Sequence, residues 1–414
     1  MQRMDQSAQP ESTYAWLRLW ASLALMTLGG VAMYGVVVVL PAVQAEFGVT
    51  RADASLPYTL TLIGFGIGGI LMGALADRFG VIVPVLIGAV GLSAGMILAG
   101  LSASLLQFAL VSGLLAGMLG CSATFAPLVA DASLWFTRRR GIAVAIVISG
   151  NYLAGTVWPP VLQHFFDQAG WRATYIGVGI FCLAVMLPLA LVLRKRPPAL
   201  AAPGSVGQEF KAAHPLGLSP NALTVLLSIA GVGCCVAMSM PQVHIVAYCG
   251  DLGYGAQRGA EMISVMLGFG IVSRLAFGWI SDRLGGLRTL LLGSALQGIA
   301  LALFLHFDGL VSLYVVSALF GLFQGGLVPA YAIIVREFFP PREAGTRVSI
   351  VLMATLFGMA LGGWLSGALF DFTGSYRAAF INGIAWNLLN MTIAFWLLRR
   401  FNSAVAYRTL RGAL

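Results

Sequence analysis

The chain reads as an all-α integral membrane protein: twelve transmembrane helices in two pseudo-symmetric bundles of six. Three observations carry that reading. Only 9% of its 414 residues are charged, against about a quarter in soluble domains, and the mean hydropathy is +0.90. Twelve apolar runs each approach the roughly 20 residues that a bilayer demands. Three landmarks also recur at a constant offset of 205 residues: EFG at Glu46 with DLG at Asp251, GALADRFG at Gly73 with GWISDRLG at Gly278, and WRATYI at Trp171 with YRAAFI at Tyr376. One such match is weak, but three at the same spacing indicate a duplicated six-helix unit.

In chain order, residues 1–18 form a polar segment carrying Asp5 and Glu11, without the basic start and small-residue cleavage site of a signal peptide, and are expected to be a retained cytoplasmic tail. The first bundle is expected over 19–193, with runs at about 19–42, 55–76, 82–102, 104–130, 142–165 and 174–193. A basic, Pro- and Gly-containing linker follows at 194–221. The second bundle occupies 222–398, with runs at about 222–247, 260–281, 288–306, 310–335, 346–369 and 378–398, and 399–414 is a second cytoplasmic tail. With both termini inside, nineteen of the 24 basic residues are cytoplasmic and four, Arg51, Arg172, Arg258 and Arg377, are outside. The net charge of +9 is therefore a topology signal rather than a nucleic-acid footprint.

The remaining basic residue is Arg274, in the middle of the eighth run. It lies about 12 Å along the helix from the Asp282–Arg283 pair, further than snorkelling covers. An arginine at that depth costs from about 3 to over 10 kcal/mol unless compensated, and no run carries an acid at mid-depth. A guanidinium so placed suits an anion-binding site; the alternative is a pair with a carboxylate of the protein. His244 is the one histidine inside a run and away from its ends. It is either a proton carrier or a neutral, hydrogen-bonded ring. Pro241 beside it is expected to disturb the seventh helix.

Glycines at three- and four-residue spacing, among them Gly64, Gly66, Gly68, Gly69, Gly113, Gly117, Gly120, Gly358, Gly362 and Gly363, are expected to serve close helix packing. The five cysteines, Cys121, Cys182, Cys234, Cys235 and Cys249, fit neither zinc spacing nor a disulfide framework. No Walker loop, GxSxG or metal-ligand cluster is present, so no cofactor, metal or enzyme activity is expected.

The repeated GxLADRxG and GxxSDRxGG elements resemble the signature loop of the major facilitator superfamily, and the resemblance covers essentially the whole chain. It implies a conformational latch at Asp77, Arg78, Asp282 and Arg283, although these charges also serve topology. The basic pair that usually follows the glycine is replaced by Val81–Ile82 in the first copy. A narrower resemblance lies in WFTRRRGIAVAIVISGNYLAG, Trp135 to Gly155, which is similar to the monocarboxylate transporter family; the opening YGVVVVLPAVQAEFG and the later MPQVHIVAYCGDLGYG are similar to its bacterial members and to oxalate/formate exchangers.

That family's helix 8 arginine binds the substrate carboxylate, and by position the role falls on Arg274. Two departures stand out. The acid that animal members carry one turn earlier is Gly270 here, and the second, helix 11 cation of the oxalate/formate exchangers is missing. One cation favours a cargo with one carboxylate, since a second would be buried unpartnered.

Further substrate contacts are expected from Tyr34, Thr124 and Asn151 in the first half, the helices in which the resemblance implies substrate contacts, and from Gln242 and Tyr331 in the second. Each is otherwise an interhelical hydrogen bond. The expected function is secondary active transport of small monocarboxylate anions by alternating access, with a proton as symported partner; the alternatives are an organic anion exchanger, with a counter-anion, or an efflux pump for drugs or neutral metabolites. The expected setting is the plasma membrane, as in a bacterial inner membrane, with lipid as partner, the protein monomeric, and no nucleic acid.

Overall fold

All twelve runs are helical in the structure, a computed structural model that describes residues 11–136, 139–195 and 217–412, with backbone alone for Arg140, Pro341, Arg342, Ala344 and 404–412. Most of the N-terminal tail and of the linker expected at 194–221 lies outside the described residues. The helices are α1 (Thr13–Val38), α2 (Arg51–Phe79), α3 (Ile82–Gly100), α4 (Leu105–Trp135), α5 (Gly141–Ala169) and α6 (Trp171–Leu191), then α7 (Pro220–Asp251), α8 (Ala256–Leu284), α9 (Gly286–His306), α10 (Leu310–Phe338), α11 (Gly345–Thr373) and α12 (Tyr376–Ser403). Several outrun the apolar stretch that marks them, because polar first and last turns keep their backbone bonds after hydropathy has fallen. Side-chain caps start some of them: Ser12 accepts from Ala15 N and Ser104 from Gln107 N.

The described residues of Met1–Val206 and Val246–Ser264 form one compact unit, and those of Gly207–Ile245 and Val265–Leu414 form the other. In the first, α3 packs on α6 and α4, α2 on α4, and α1 on α5; in the second, α9 packs on α12 and α10, and α11 on α12. The α3–α6 pairing thus recurs as α9–α12, as duplication requires.

Glycine sets the closest crossings. A Cβ on Gly64 would lie 2.1 Å from Gly113 O, and one on Gly68 would lie 2.0 Å from Met118 O. Any side chain there would drive α2 off α4. In the second unit a Cβ on Gly321 would come within 1.8 Å of Met266 O, so α10 meets α8 with the same intimacy. Gly69 differs, with nothing within 4 Å of its Cβ position. Where α2 and α3 flank it, α4 widens into a π-helix over Ser112–Cys121.

The repeated loops match in backbone geometry. Gly80 (φ 85°, ψ 163°) and Gly285 (φ 79°, ψ 164°) end α2 and α8 in the same left-sided conformation, open to glycine and strained for other residues. Their side-chain partners have diverged. In the first repeat Glu46, on the short helix Leu40–Phe47, accepts from Trp171 Nε1 at 2.6 Å and Arg172 Nε at 2.9 Å. In the second, the matching Asp251 bonds Arg51 and the matching Tyr376 bonds His244.

One charge pair corrects the sequence-based picture. Asp131 falls beyond the expected end of the fourth run, and Arg18 reads as a cytoplasmic topology charge, yet both are buried inside helices. Arg18 is 1% exposed and Asp131 5%. Arg18 Nε and Nη2 each donate to an Asp131 oxygen at 2.7 Å, while Nη1 donates to Lys195 O at 3.0 Å. The guanidinium also lies 4.9 Å from the Trp135 ring centroid. Carbonyl and carboxylate together compensate a charge that burial would otherwise penalise.

Two outcomes follow from this packing. Asp131→Ala, which strands the Arg18 charge, should lower stability by about 3–5 kcal/mol in thermal or denaturant unfolding of the purified protein, and Arg18→Met with Asp131→Leu should recover most of that loss. Glu46 is held below the usual carboxylate range, chiefly by its bond from Arg172, with Trp171 and the Arg172 charge adding and partial burial opposing. Its contribution is therefore complete above its unfolded pKa and is lost as pH falls through the lower folded one. Glu46→Gln should cost about 1 kcal/mol or less at pH 7, and the gap to the parent protein should close in unfolding curves taken below about pH 4.

Candidate functional site

In the first unit the candidate residues gather where α1 is interrupted, at Gly29–Gly30 between Thr13–Gly29 and Val31–Val38. Thr124 of α4 presses against Gly29, where a Cβ would lie 1.9 Å from its Oγ1. The Thr124 hydroxyl donates to Cys121 O at 3.0 Å, and Cys121 Sγ in turn donates to Gly29 O at 3.2 Å. Asn151 of α5 flanks the other glycine, its Oδ1 3.7 Å from the position a Cβ on Gly30 would take. Tyr34 follows one turn on, its amide bonded to Gly30 O at 3.3 Å and its side chain buried. Trp158 of α5 steadies the same turn through a 2.8 Å bond from Nε1 to Thr27 O. Three residues far apart in sequence thus share one stretch of α1.

In the second unit it is α10 that is interrupted, at Gly325–Gly326 between Leu310–Gln324 and Leu327–Phe338. It lies on α8: Cβ atoms on these glycines would meet Gly270 O at 2.4 Å, Ser273 Oγ at 3.0 Å and Phe277 Cβ at 2.1 Å. Arg274 is the residue after Ser273, about 100° around the helix from this contact, and is half-buried ten residues before the end of α8 at Leu284. Its Nε is buried and makes no hydrogen bond, while the residue keeps other contacts within the protein. Gln242 of α7 reaches the same break, donating from Nε2 to Gln324 Oε1 at 3.1 Å.

His244 is fully buried, with Nε2 2.8 Å from Gly363 O and Nδ1 3.2 Å from Tyr376 Oη. A carbonyl only accepts, so Nε2 carries the hydrogen, while the Tyr376 hydroxyl can donate to a bare Nδ1 or accept from a protonated one. Tyr331 is also fully buried and donates to Asn390 Oδ1 at 2.8 Å; Asn390 Nδ2 passes the chain to Ser294 Oγ at 2.7 Å. This network sits among Leu223, Leu290 and Ile334 in the core of the unit.

Asp77, Arg78, Asp282 and Arg283 are all exposed at the ends of α2 and α8. The arginines lie against aromatic rings, Arg78 5.1 Å from Phe79 and Arg283 3.7 Å from Trp279. The loop after α8 has a further partner that sequence reading missed: Glu337 of α10 accepts from Gly286 N at 2.9 Å, where the dipole of α9 favours an anion. Its counterpart at the 205-residue offset is Ala132, so the repeat supplies no hint of it. The same count back from Arg274 reaches Gly69.

A cavity of about 710 Å³ runs along α9 and α10, lined by Leu303, Phe307, Leu310, Val315 and Leu319. Apart from Ser312 its wall is apolar, with nothing to orient a carboxylate.

Twelve bilayer-length helices, with a repeated six-helix pattern and polar side chains collected at helix breaks, define a multi-pass membrane protein. The Major Facilitator Superfamily profile matches residues 21–316 and 262–405, and the chain belongs to that superfamily. Among curated relatives, monocarboxylate transporter 13 of Bos taurus is 28% identical over 384 residues, covering 90% of this chain and 86% of its own. The MFS-type transporter pynF of Aspergillus niger is 24% identical over 365 residues, covering 87% and 83%. Among solved structures, a bacterial homologue of the human lysosomal transporter Spinster, inward-facing and unoccupied, superposes with a TM-score of 0.76 at 17% identity, covering 95% of this chain and 99% of that one. The protein is thus a transporter and not an enzyme.

Proposed function

We propose that the protein carries small monocarboxylate anions across the membrane by alternating access, each accompanied by a proton. The observation that carries this reading is the half-buried guanidinium of Arg274, ten residues inside α8, in a superfamily member similar to monocarboxylate transporters. Its planar fork matches a carboxylate in shape and charge, and the bound anion neutralises a cation that is costly in a bilayer. A single carboxylate suffices for that. Within the same unit Gln242 is the nearest further candidate contact, bonded at the break in α10, and Tyr331 is the second; Tyr34, Thr124 and Asn151 are the candidates of the first unit.

In symport the charge is balanced by a proton that travels with the anion, either on the cargo or through His244. When the His244 ring is neutral its Nδ1 accepts from the Tyr376 hydroxyl, so taking up a proton there entails reversing that bond. The arginine-rich ends define the cytoplasmic side, with both termini there, in the plasma membrane of the cell, as in a bacterial inner membrane; the carrier works as a monomer. Exposed Asp77, Arg78, Asp282 and Arg283 act as latches between transport states.

Uptake of a panel of labelled short acids into proteoliposomes, with and without an inward proton gradient, tests this directly. Gradient-stimulated uptake is expected; stimulation by internal acid instead would make the protein an exchanger, and no acid uptake at all would end the monocarboxylate reading. Arg274→Ala and Arg274→Lys should each reduce uptake by about 10- to 100-fold, the worth of a lost charge-assisted bond, at unchanged protein level in the vesicle. His244→Gln should bring uptake under a gradient down to the level without one. Persistent stimulation in that variant would assign the proton to the cargo.

A further inference from the structure

Arg172 and Arg377 are twins at the 205-residue offset, and the two repeats use them differently. Arg172 donates to Glu46 Oε1 at 2.9 Å and spans to Gly100 O and Ser102 O at 3.0 and 2.7 Å, so its charge is answered within its own repeat. The acid that matches Glu46 is Asp251, which accepts from Arg51 at 3.1 and 3.2 Å. Arg377 is left over. Its amide donates to Ser375 Oγ at 3.2 Å, but the residue is exposed and its guanidinium has no partner among the described residues.

The register of α9 on α12 brings this cation to one end of the apolar cavity along α9 and α10. Ser294 is bonded by Asn390, and further along the pair Phe304 stacks on Phe380 with ring centroids 5.2 Å apart. The two helices therefore run antiparallel, and the same register sets Arg377 level with Phe307, a residue of the cavity wall. The first repeat agrees: the carbonyls that Arg172 reaches belong to the twins of Leu305 and Phe307. The polar neighbours are already engaged. His306 Nδ1 lies 2.9 Å from Ala302 O, Ser312 donates to Gly309 O at 2.8 Å, and Asp308 keeps a contact within the protein.

We propose that this cavity and Arg377 together bind one phospholipid, its phosphate on the guanidinium and one acyl chain along the groove between α9 and α10. Val311 and Val315 of the wall are 77% and 53% exposed on a bilayer-length helix, so the solvent they meet is hydrocarbon. An apolar hollow holds no water. A chain fills it instead, and about 710 Å³ lies within the roughly 300–1,000 Å³ of ligand sites. Chance contact with bilayer chains would need no charge. What selects a phospholipid is the order of the two features, an apolar wall that ends at an unpaired guanidinium on the first turn of α12, which repeats the order of hydrocarbon and phosphate in the lipid. The site lies at the end of α9 away from the Gly285–Gly286 loop.

The test needs no cargo, so its result stands apart from that of the acid uptake panel. The full-length protein is reconstituted with phosphatidylglycerol bearing a diazirine on one acyl chain, irradiated and mapped by peptide mass spectrometry. The first repeat supplies the control: residues 98–114, the twins of 303–319, also expose leucines, at Leu98, Leu101, Leu106, Leu110 and Leu114, but their arginine is already engaged. Label should concentrate on 303–319 over 98–114. Arg377→Gln should lower that ratio by about two- to fivefold, the worth of an exposed charge pair, and Val315→Trp, which fills the hollow, should bring it near one. A diacylglycerol with the same diazirine and no phosphate should show little preference. Equal labelling of the two stretches in the parent would mean ordinary bilayer contact and overturn the proposal. So would an unchanged ratio in Arg377→Gln, or a diacylglycerol that labels 303–319 as selectively as the phospholipid.

Discussion

Backbone touches backbone where α10 crosses α8, and the second unit depends on that contact. Lipid is as apolar as leucine, so helices in a bilayer gain little by hiding greasy side chains from it; they adhere by close fit and by polar bonds across the seam. Gly321 and Gly325 bring α10 against the carbonyls of Met266 and Gly270. The interruption at Gly325–Gly326 then falls one residue from Arg274 along α8 and beside the Gln242–Gln324 bond. A bulkier residue at either glycine would move the break, and with it the polar groups collected there. Gly64 and Gly68 do the same for α2 and α4 in the first unit.

Polar side chains buried within each unit are bonded in ways that suit that tight fit. Asn390 links Tyr331 to Ser294, and Asn387 donates to Ser294 O at 2.8 Å, so α9, α10 and α12 are stitched at one level. Arg18 similarly ties α1 to α4 and to the end of α6 through Asp131 and Lys195 O. These are the fixed parts of the molecule. The Glu46 cluster belongs with them.

Hydropathy and one repeated offset made the twelve helices and their duplication legible, because both leave marks that persist along the chain: runs of apolar residues, and glycines whose backbone angles only glycine accepts comfortably. Tyr34, Thr124 and Asn151 could also be singled out, and their common neighbourhood at Gly29–Gly30 is a finding of the structure. What the sequence hid was pairing at a distance. Asp131 was left out of the fourth run because hydropathy drops there, and nothing local links it to Arg18, 113 residues away. Gln242 and Gln324 are 82 residues apart, and Glu337 caps a loop whose first-repeat equivalent has no acid. A charge that diverged after duplication has no echo to reveal it.

Gly69 is the first repeat's answer to Arg274, and it has open space where a side chain would stand. An unaltered copy would carry two matching guanidiniums; with hydrogen at one position and arginine at the other, the backbone repeats while its charge does not.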